Sequence, residues 1–308
     1  MRFSSTAVAV TGLLFTASAM PAKRQSTTTD IDPIILQYAL TLEHLENAFY
    51  KKALSMWDQD SFVNAGFPAM IYNELKYIAH DEEGHVVYLE AGLTAAGATP
   101  VAACTYSFPM ITPKEFISLA SVIEGVGVSA YLGAAPLITN KAYLSAAGAI
   151  LVTEALHQSA TRGAIGEIPM ANVFGTPMGI NATYSIASTF ITSCPSTNMA
   201  LPVAAYPALT LVSGSPTAPE VLIVLQPMTM PTGTYYVTFV SGLDIVPVAP
   251  QSTSNGIIMV SVPAMVSGQG YVFLTKDNSG NLTDPNILAG PAILEVTPNS
   301  PTFNLTIT

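Results

Sequence analysis

The chain has 308 residues, of which 50% are hydrophobic and only 10% are charged, and its formal net charge is −10. This composition excludes a disordered chain, and the length is sufficient for two domains. The acidic balance argues against a nucleic-acid-binding protein.

The N-terminus has the layout of a cleaved secretory signal. Arg2 precedes an apolar run over residues 7–15, and small residues follow at 17–19. The run is shorter than the ~20 residues that span a bilayer, so a cleaved signal is favoured over a signal anchor. Lys23-Arg24 resembles the dibasic site trimmed by a fungal secretory protease. We therefore expect residues 1–24 to be a signal peptide with a propeptide, and the product to be extracellular, with attachment to the cell wall as a further option.

Four long helices are predicted between residues 30 and 166. Asp32-Pro33 predicts a capped start for the first helix, over 32–56, and the second covers 69–95. Thr112-Pro113-Lys114-Glu115 is a capping box with proline at the first helical position, and it opens the third helix, which ends near residue 136. The fourth helix covers 141–162.

The third helix contains a single charged residue, Glu124, over residues 116–136. Its length and hydrophobicity would suit a membrane span, but the run lacks the usual basic flanks and the next helix carries a matching Glu and His. A buried carboxylate needs a proton, a partner or a metal ion. We therefore predict no stable membrane span and a functional role for this glutamate.

Two helical phrases place a glutamate three residues before a histidine, and they use half of the four histidines in the chain. They are Glu82 with His85, and Glu154 with His157. Positions i and i+3 share one face of a helix, so each pair projects a carboxylate and an imidazole toward a neighbouring helix. Two such pairs, each with another glutamate upstream, match the ligand pattern of two-metal carboxylate sites in four-helix bundles.

The upstream glutamates are Glu43 and Glu124, and each is followed seven residues later by a tyrosine, Tyr50 or Tyr131. Seven residues are about two helical turns, so each phenol is predicted to lie where it can touch a ligating carboxylate. Glu46, one turn after Glu43, is the alternative ligand on the first helix. Glu43 is preferred because only it has the seven-residue spacing to tyrosine.

Residues 30–194 resemble the ferritin-like superfamily, and more narrowly the secreted fungal stress-response and desiccation-related ferritin-like proteins. The resemblance rests on the phrases at 42–50, 130–136 and 153–157. It implies a bundle that holds two divalent metal ions, with iron favoured and manganese as the alternative. The ligands that it implies are Glu43, Glu82, His85, Glu124, Glu154 and His157.

Cys104 and Cys194 are the two cysteines of the chain, and an even count in a secreted protein predicts one disulfide. Three sequons predict glycosylation, which agrees with secretion. Their asparagines are Asn181, Asn281 and Asn304.

Beyond the bundle, residues 167–203 read as a wrapping extension and linker, with one short helix over 183–192. From residue 204 to 308 the pattern changes to short β runs separated by turn residues, which predicts an immunoglobulin-like β-sandwich. The predicted strands cover 208–212, 221–225, 234–240, 245–248, 257–262, 271–275, 292–296 and 303–307. The predicted fold class is therefore α+β with two domains, a ferritin-like four-helix bundle followed by an accessory β-sandwich.

Three classes of function fit this ligand set. The first is a di-metal oxidase or peroxidase-type oxidoreductase that uses oxygen or peroxide. The second is a protein that sequesters iron or manganese outside the cell. The third is a structural, stress-protective component of a cell wall or matrix, attached through the β domain, in which the site is empty or holds metal without catalysis.

Overall fold

The computed structural model describes residues 31–213, 217–302 and 304–307. The predicted signal segment, residues 1–24, lies outside the described residues. Ile31–Thr308 forms one compact unit, in which a helical bundle precedes an antiparallel β-rich region. The predicted α+β layout is confirmed.

The four long helices begin and end within about two residues of their predicted bounds. They are α1 (Asp32–Met56), α3 (Met70–Ala95), α4 (Pro113–Ala134) and α5 (Lys141–Ala164), and the sequence pattern missed one short helix, α2 (Gln59–Asn64). Helix α1 packs mainly on α3, and α4 packs mainly on α5. The bundle therefore consists of two helix pairs, as the repeated ligand pattern predicted.

The two predicted helix caps have different outcomes. Thr112 caps α4 as expected, since its hydroxyl accepts from the backbone N–H of Glu115 at 3.2 Å, and the Glu115 carboxylate accepts from the N–H of Ile111 at 2.8 Å. The prediction that Asp32 caps α1 is wrong, because no side-chain cap bond forms there. Asp32 instead accepts from the N–H groups of Thr139 and Asn140, each at 2.7 Å, and so fixes the turn that leads into α5.

Helix α4 is covered on nearly every side. A short helix, α6 (Ile180–Ala187), and the β-rich region also pack on this helix, with Val126 and Tyr271 in the shared core. A Cβ atom at Gly133 would lie 1.7 Å from the carbonyl oxygen of Met178, so only glycine permits this approach. Within the described residues, Pro113–Leu137 is the one helical stretch long and apolar enough to cross a membrane, and 67% of its most apolar window is buried. This burial agrees with the prediction of no stable membrane span.

The β-rich region contains two four-stranded antiparallel sheets, with strand orders β10-β9-β5-β6 and β3-β4-β8-β7. Side chains from both sheets, including Ile223, Phe239 and Leu274, meet in one fully buried core, as in a sandwich. The strands are β3 (Leu209–Ser213), β4 (Leu222–Pro227), β5 (Tyr236–Ser241), β6 (Asp244–Val248), β7 (Ser252–Ser254), β8 (Ile257–Ser261), β9 (Gly268–Thr275) and β10 (Ile287–Val296).

Two predicted elements differ from the structure, and one edge strand was not predicted. The expected last strand over 303–307 is wrong, because residues 304–307 form a turn in which the Asn304 side chain accepts from the N–H of Thr306 at 3.0 Å. The short helix expected over 183–192 starts and ends earlier, as α6. The exposed edge strand β7, made of Ser and Thr, was not predicted because it has no apolar face.

A disulfide joins Cys104 to Cys194, as predicted, with the two Cα atoms 4.2 Å apart. It lies beside a small antiparallel pair formed by β1 (Thr105–Tyr106) and β2 (Ile191–Ser193). This bond ties the connection between the two helix pairs to the segment that follows α6.

We predict that the double substitution Cys104→Ser and Cys194→Ser lowers the free energy of unfolding by up to about 4 kcal/mol, because the 90-residue separation closes a large loop in the unfolded chain. Denaturant unfolding of the wild type and the variant measures the difference. A reductant should destabilise the wild type and leave the variant unchanged. Equal stability of the two proteins would contradict the prediction.

Candidate metal centre

Six side chains from the four long helices converge in the middle of the bundle. Helix α1 contributes Glu43, and α4 contributes Glu124; α3 and α5 contribute the two Glu-x-x-His pairs. All four glutamates have 0% exposure, and the histidines are nearly buried. The donor atoms form two groups, and within each group all ligand atoms lie within 4.8 Å of one another. One group consists of Glu43, Glu82, His85 and Glu154, and the other consists of Glu82, Glu124, Glu154 and His157. Glu82 and Glu154 belong to both groups.

The His85 ring faces three carboxylates through one nitrogen. Its Nδ1 lies 3.2 Å from Glu43, 3.4 Å from Glu82 and 3.3 Å from Glu154. Two donors that bind one ion at about 2.0–2.2 Å lie roughly 3 Å apart when they subtend a right angle. The observed nitrogen–oxygen distances are close to this spacing, so these groups could bind a common ion.

The His157 ring has the equivalent arrangement in the second group. Its Nδ1 lies 2.9 Å from Glu82 and 3.4 Å from Glu124. Its other nitrogen, Nε2, lies 3.3 Å from the carboxylate of Asp81, which can orient the ring. Sequence reasoning missed Asp81, because nothing in the sequence distinguishes this half-exposed residue from its solvent-facing neighbours.

Several donor atoms at the centre lack a hydrogen bond of acceptable geometry. They include both carboxylate oxygens of Glu82 and of Glu154, one oxygen of Glu124, and Nδ1 of His157. Buried polar atoms are almost always hydrogen-bonded, and an unpaired buried charge is strongly unfavourable. A bound cation would satisfy all of these atoms, so the donor set fits a pair of metal ions.

The two tyrosines contact the carboxylates across the bundle. The Tyr50 hydroxyl donates to Glu124, and the Tyr131 hydroxyl donates to Glu43. Each phenol therefore binds the glutamate of the other helix pair, and not the glutamate two turns before it. Burial, and then the charge of the bonded glutamate, raise the pKa of both tyrosines well above the usual value, so both remain protonated donors.

Glu46 is a fifth buried carboxylate beside the six candidate ligands, with 3% exposure. It belongs to neither donor group, so the geometry favours Glu43 as the ligand on α1. A Cβ atom at Gly127 would lie 2.3 Å from a Glu154 oxygen and 2.9 Å from a Glu46 oxygen, so glycine makes room for both carboxylates.

Burial and crowding hold protons at the centre when no metal ion is bound. Desolvation raises the pKa of Glu82 to about 7, although the nearby imidazoles of His157 and His85 lower it. Desolvation, followed by the charge of neighbouring glutamates, raises the pKa of Glu46 and Glu154 well above the ordinary range. Desolvation lowers the pKa of His157, but Glu124 and Glu82 outweigh it and raise this pKa to about 11.

The other histidines and nearby acidic residues lie away from the centre. His44 is buried, and its Nε2 lies 3.0 Å from the carbonyl oxygen of Val101. His80 is exposed. Glu83 faces solvent and forms an ion pair with Lys51 at 3.0 Å.

The β-rich region contacts α4 directly beside Glu124. The Tyr271 hydroxyl donates to the carbonyl of Gly125 at 3.1 Å, and the Gln269 amide donates to the carbonyl of Val122 at 3.1 Å. A Cβ atom at Gly125 would lie 2.3 Å from Gln269. The backbone on both sides of this candidate ligand is thus held by strand β9.

Comparison with known proteins agrees with this geometry. The sequence profile of the ferritin-like domain matches residues 30–167. This part of the chain is therefore similar to the ferritin-like domain family. Protein rds1 of Schizosaccharomyces pombe is 28% identical over 184 residues, which cover 60% of this chain and 45% of the relative. The chain therefore aligns with less than half of this fungal relative, and the ferritin-like resemblance stated from the motifs is confirmed.

The sequons lie outside the ferritin-like domain and differ in their surroundings. Asn281 and Asn304 are exposed. Asn181 is half-buried, and its amide nitrogen donates to Asp284 at 3.0 Å while its oxygen accepts from the N–H of Ala204 at 2.9 Å. Glycosylation at Asn281 and Asn304 stays a prediction, and a glycan on Asn181 would interfere with the bond that the folded chain makes there.

We predict that the metal-free protein becomes less stable as pH rises from 5 to 8. The pKa of Glu82 is about 7 in the folded chain against an ordinary 4.5, and that of His157 is about 11 against 6.5. The folded state therefore binds more protons than the unfolded state over this range, so stability falls with rising pH. Calorimetry should show a fall in Tm of at least ~2 °C, the shift that about 1 kcal/mol produces in a chain of roughly this size.

Glu82→Gln provides the control for this pH dependence. Its side chain does not titrate, so the slope of Tm against pH should be smaller than in the wild type. A Tm that rises between pH 5 and 8 in the metal-free wild type would contradict the assignment of the protons.

Proposed function

We propose that the ferritin-like domain holds a dinuclear metal centre. The observation that carries this proposal is the pair of overlapping donor groups, buried and largely without hydrogen-bond partners, that share Glu82 and Glu154. Glu43, Glu82, His85 and Glu154 would hold one ion, and Glu82, Glu124, Glu154 and His157 would hold the other.

Charge balance supports two divalent ions. The four candidate ligand carboxylates carry four negative charges when ionised, and two divalent cations neutralise them with the imidazoles uncharged. Burial raises the pKa of Glu46 well above the ordinary range, and a protonated Glu46 adds no charge to this balance. The mixed carboxylate and imidazole set without thiolate suits iron, our first choice, and manganese, the alternative.

The centre is suited to oxidative chemistry with oxygen or peroxide. When bound, such a pair of ions supplies Lewis acidity and one-electron changes at two adjacent atoms. The chain holds its carboxylates in place through Tyr50 and Tyr131, orients His157 through Asp81, and excludes bulk water by burial. On this basis we propose a di-metal oxidase or peroxidase-type protein.

We further propose that the protein is secreted and acts in a stress response outside the cell. The disulfide and the exposed sequons at Asn281 and Asn304 support an oxidising, extracellular environment. In the proposed division of the chain, residues 30–166 hold the metal, 167–203 wrap the bundle, and 204–308 support α4 and attach the protein to the wall or matrix.

We predict that shared and unshared ligands have different effects on metal content. Glu82→Gln removes a donor that belongs to both groups and should abolish stable binding of both ions, whereas His157→Ala should reduce the content to about one ion per chain. Elemental analysis of purified protein measures both values. The controls are Glu83→Gln, the adjacent exposed residue, and His80→Ala, the exposed histidine of the same helix.

Wild-type metal content in both controls supports the assignment of ligands. Equal metal loss in a variant and its control would refute it.

Anaerobic loading with metal, followed by exposure to oxygen or peroxide, separates the three classes of function. Many turnovers indicate an enzyme, stoichiometric uptake of metal indicates storage, and no uptake indicates a structural role.

We also predict that Tyr271→Phe weakens metal binding roughly 10-fold, as expected for a group that positions a metal ligand. The ring is retained, but the bonds to Gly125 and Ser129 beside Glu124 are lost. Competition with a chelator measures the affinity. Thr238→Val is the control, since it removes a buried hydroxyl bond to Thr275 within the same sheet. An equal effect of both substitutions would indicate general destabilisation of the β-rich region.

A further inference from the structure

An apolar cavity lies beside the half of the centre that contains Glu43 and His85. We propose that this cavity receives the alkyl end of a small organic molecule, and that the rest of the molecule lies in the groove between α3 and α5. The inference rests on the proposed metal centre for the chemistry that follows binding, but not for the binding itself.

The wall of the cavity consists of aliphatic and tyrosine side chains from α1, α3, α4 and α5 and the segment before α5. The cavity volume is about 50 Å³, and Leu36, Leu42 and Ala134 are among its lining residues. A buried water needs two to four polar partners, so a cavity with such a wall stays dry and favours apolar ligands. The chemistry of the wall thus excludes metal ions and hydrogen peroxide as preferred occupants.

Several residues in the wall of the cavity lie next to the candidate metal ligands. Tyr131 lines the cavity, and its hydroxyl donates to Glu43. Leu89 lies one turn beyond His85 on α3, and Ile150 lies one turn before Glu154 on α5. An alkyl group in the cavity is therefore next to the residues that hold one of the two ions.

A groove between α3 and α5 provides the way in. It has a volume of about 330 Å³, and His85 and Thr153 form part of its wall. Tyr88, Ala146 and Ile150 line both the groove and the cavity, so the two spaces are adjacent. Tyr88 is 55% exposed and marks the border with solvent.

The volume decides the kind of occupant. At about 50 Å³ the cavity exceeds the space for one water, ~10–15 Å³, but is smaller than the ~150 Å³ that accepts benzene. A short, unbranched alkyl group fits these limits. The larger groove accommodates the polar or bulkier remainder of the molecule.

Binding of straight-chain alcohols from ethanol to hexanol to the full-length protein tests the proposal. Calorimetry or NMR titration of the metal-free and the metal-loaded protein should show affinity rising roughly fourfold for each added methylene, the equivalent of about 0.8 kcal/mol, until the cavity is filled. Affinity independent of chain length would indicate surface binding and overturn the proposal. Binding of xenon without any binding of the alcohols would overturn it as well.

Two glycine substitutions locate the site. Gly92 lines the cavity on α3, and a Cβ atom there meets no atom within 4 Å, so Gly92→Leu adds a side chain to the wall with no clash at its Cβ. Gly148 on α5 is equally open but exposed and outside the wall, so Gly148→Leu is the matched control. Leucine favours a helix more than glycine does, so neither change should impair folding.

We expect Gly92→Leu to weaken hexanol binding at least tenfold and Gly148→Leu to leave it unchanged. Equal weakening, or none, in both variants would place the alcohol elsewhere and overturn the proposal. A wild type that binds alcohols in the metal-free state but takes up no metal would refute the dinuclear centre and leave the cavity assignment supported.

Discussion

The burial of five carboxylates inside one helical bundle is the constraint on which the rest of the structure depends. Desolvation and the charge of neighbouring glutamates disfavour ionisation of Glu46, Glu82 and Glu154. The folded chain therefore has to supply protons, imidazoles, phenols or cations at this point. In the metal-free chain, the pKa values of Glu46, Glu82 and Glu154 are raised, so protons meet part of this requirement.

The same constraint explains the unusual character of α4. Glu124 faces the centre, while the opposite side of the helix packs on α6 and the β-rich region, so few positions on this helix can be polar. Each of its three glycines allows a different group to come close to the helix backbone. These groups are the side chains of Gln158 and Gln269 at Gly125, the side chains of Glu46 and Glu154 at Gly127, and the backbone of Met178 at Gly133. The apolar composition that resembles a membrane span thus reflects burial from two directions within a single compact unit.

Local features of this protein could be predicted from its sequence, and long-range ones could not. The four long helices follow from their caps and breakers, and the shared face of each Glu-x-x-His pair follows from a spacing of three residues on one helix. The convergence of all six side chains was implied by the match to the ligand pattern of two-metal bundles. The crossed bonds of Tyr50 and Tyr131 depend on the distance and rotation between helices, which no spacing within one helix encodes. The same holds for Asp32, which binds the turn before α5, and for Tyr271, which supports α4 from more than a hundred residues away.

The choice between the two alternative ligands on α1 depends on the packing of the helices. Glu43 and Glu46 are one turn apart and both buried, and only the position of the opposing helices brings Glu43 within ligand distance of His85. Strand prediction failed at 303–307, where an asparagine side chain closes a turn in a stretch of apolar and β-branched residues.

The crossed tyrosines make the centre a property of the assembled bundle. Each helix pair contributes one phenol and one shared glutamate to the other, so neither pair contains a complete donor group by itself. A half-length protein made of one pair could complete such a centre only by associating with a second copy of itself. The candidate centre is therefore complete only where the two helix pairs pack together, so its formation reports on the assembly of the whole bundle.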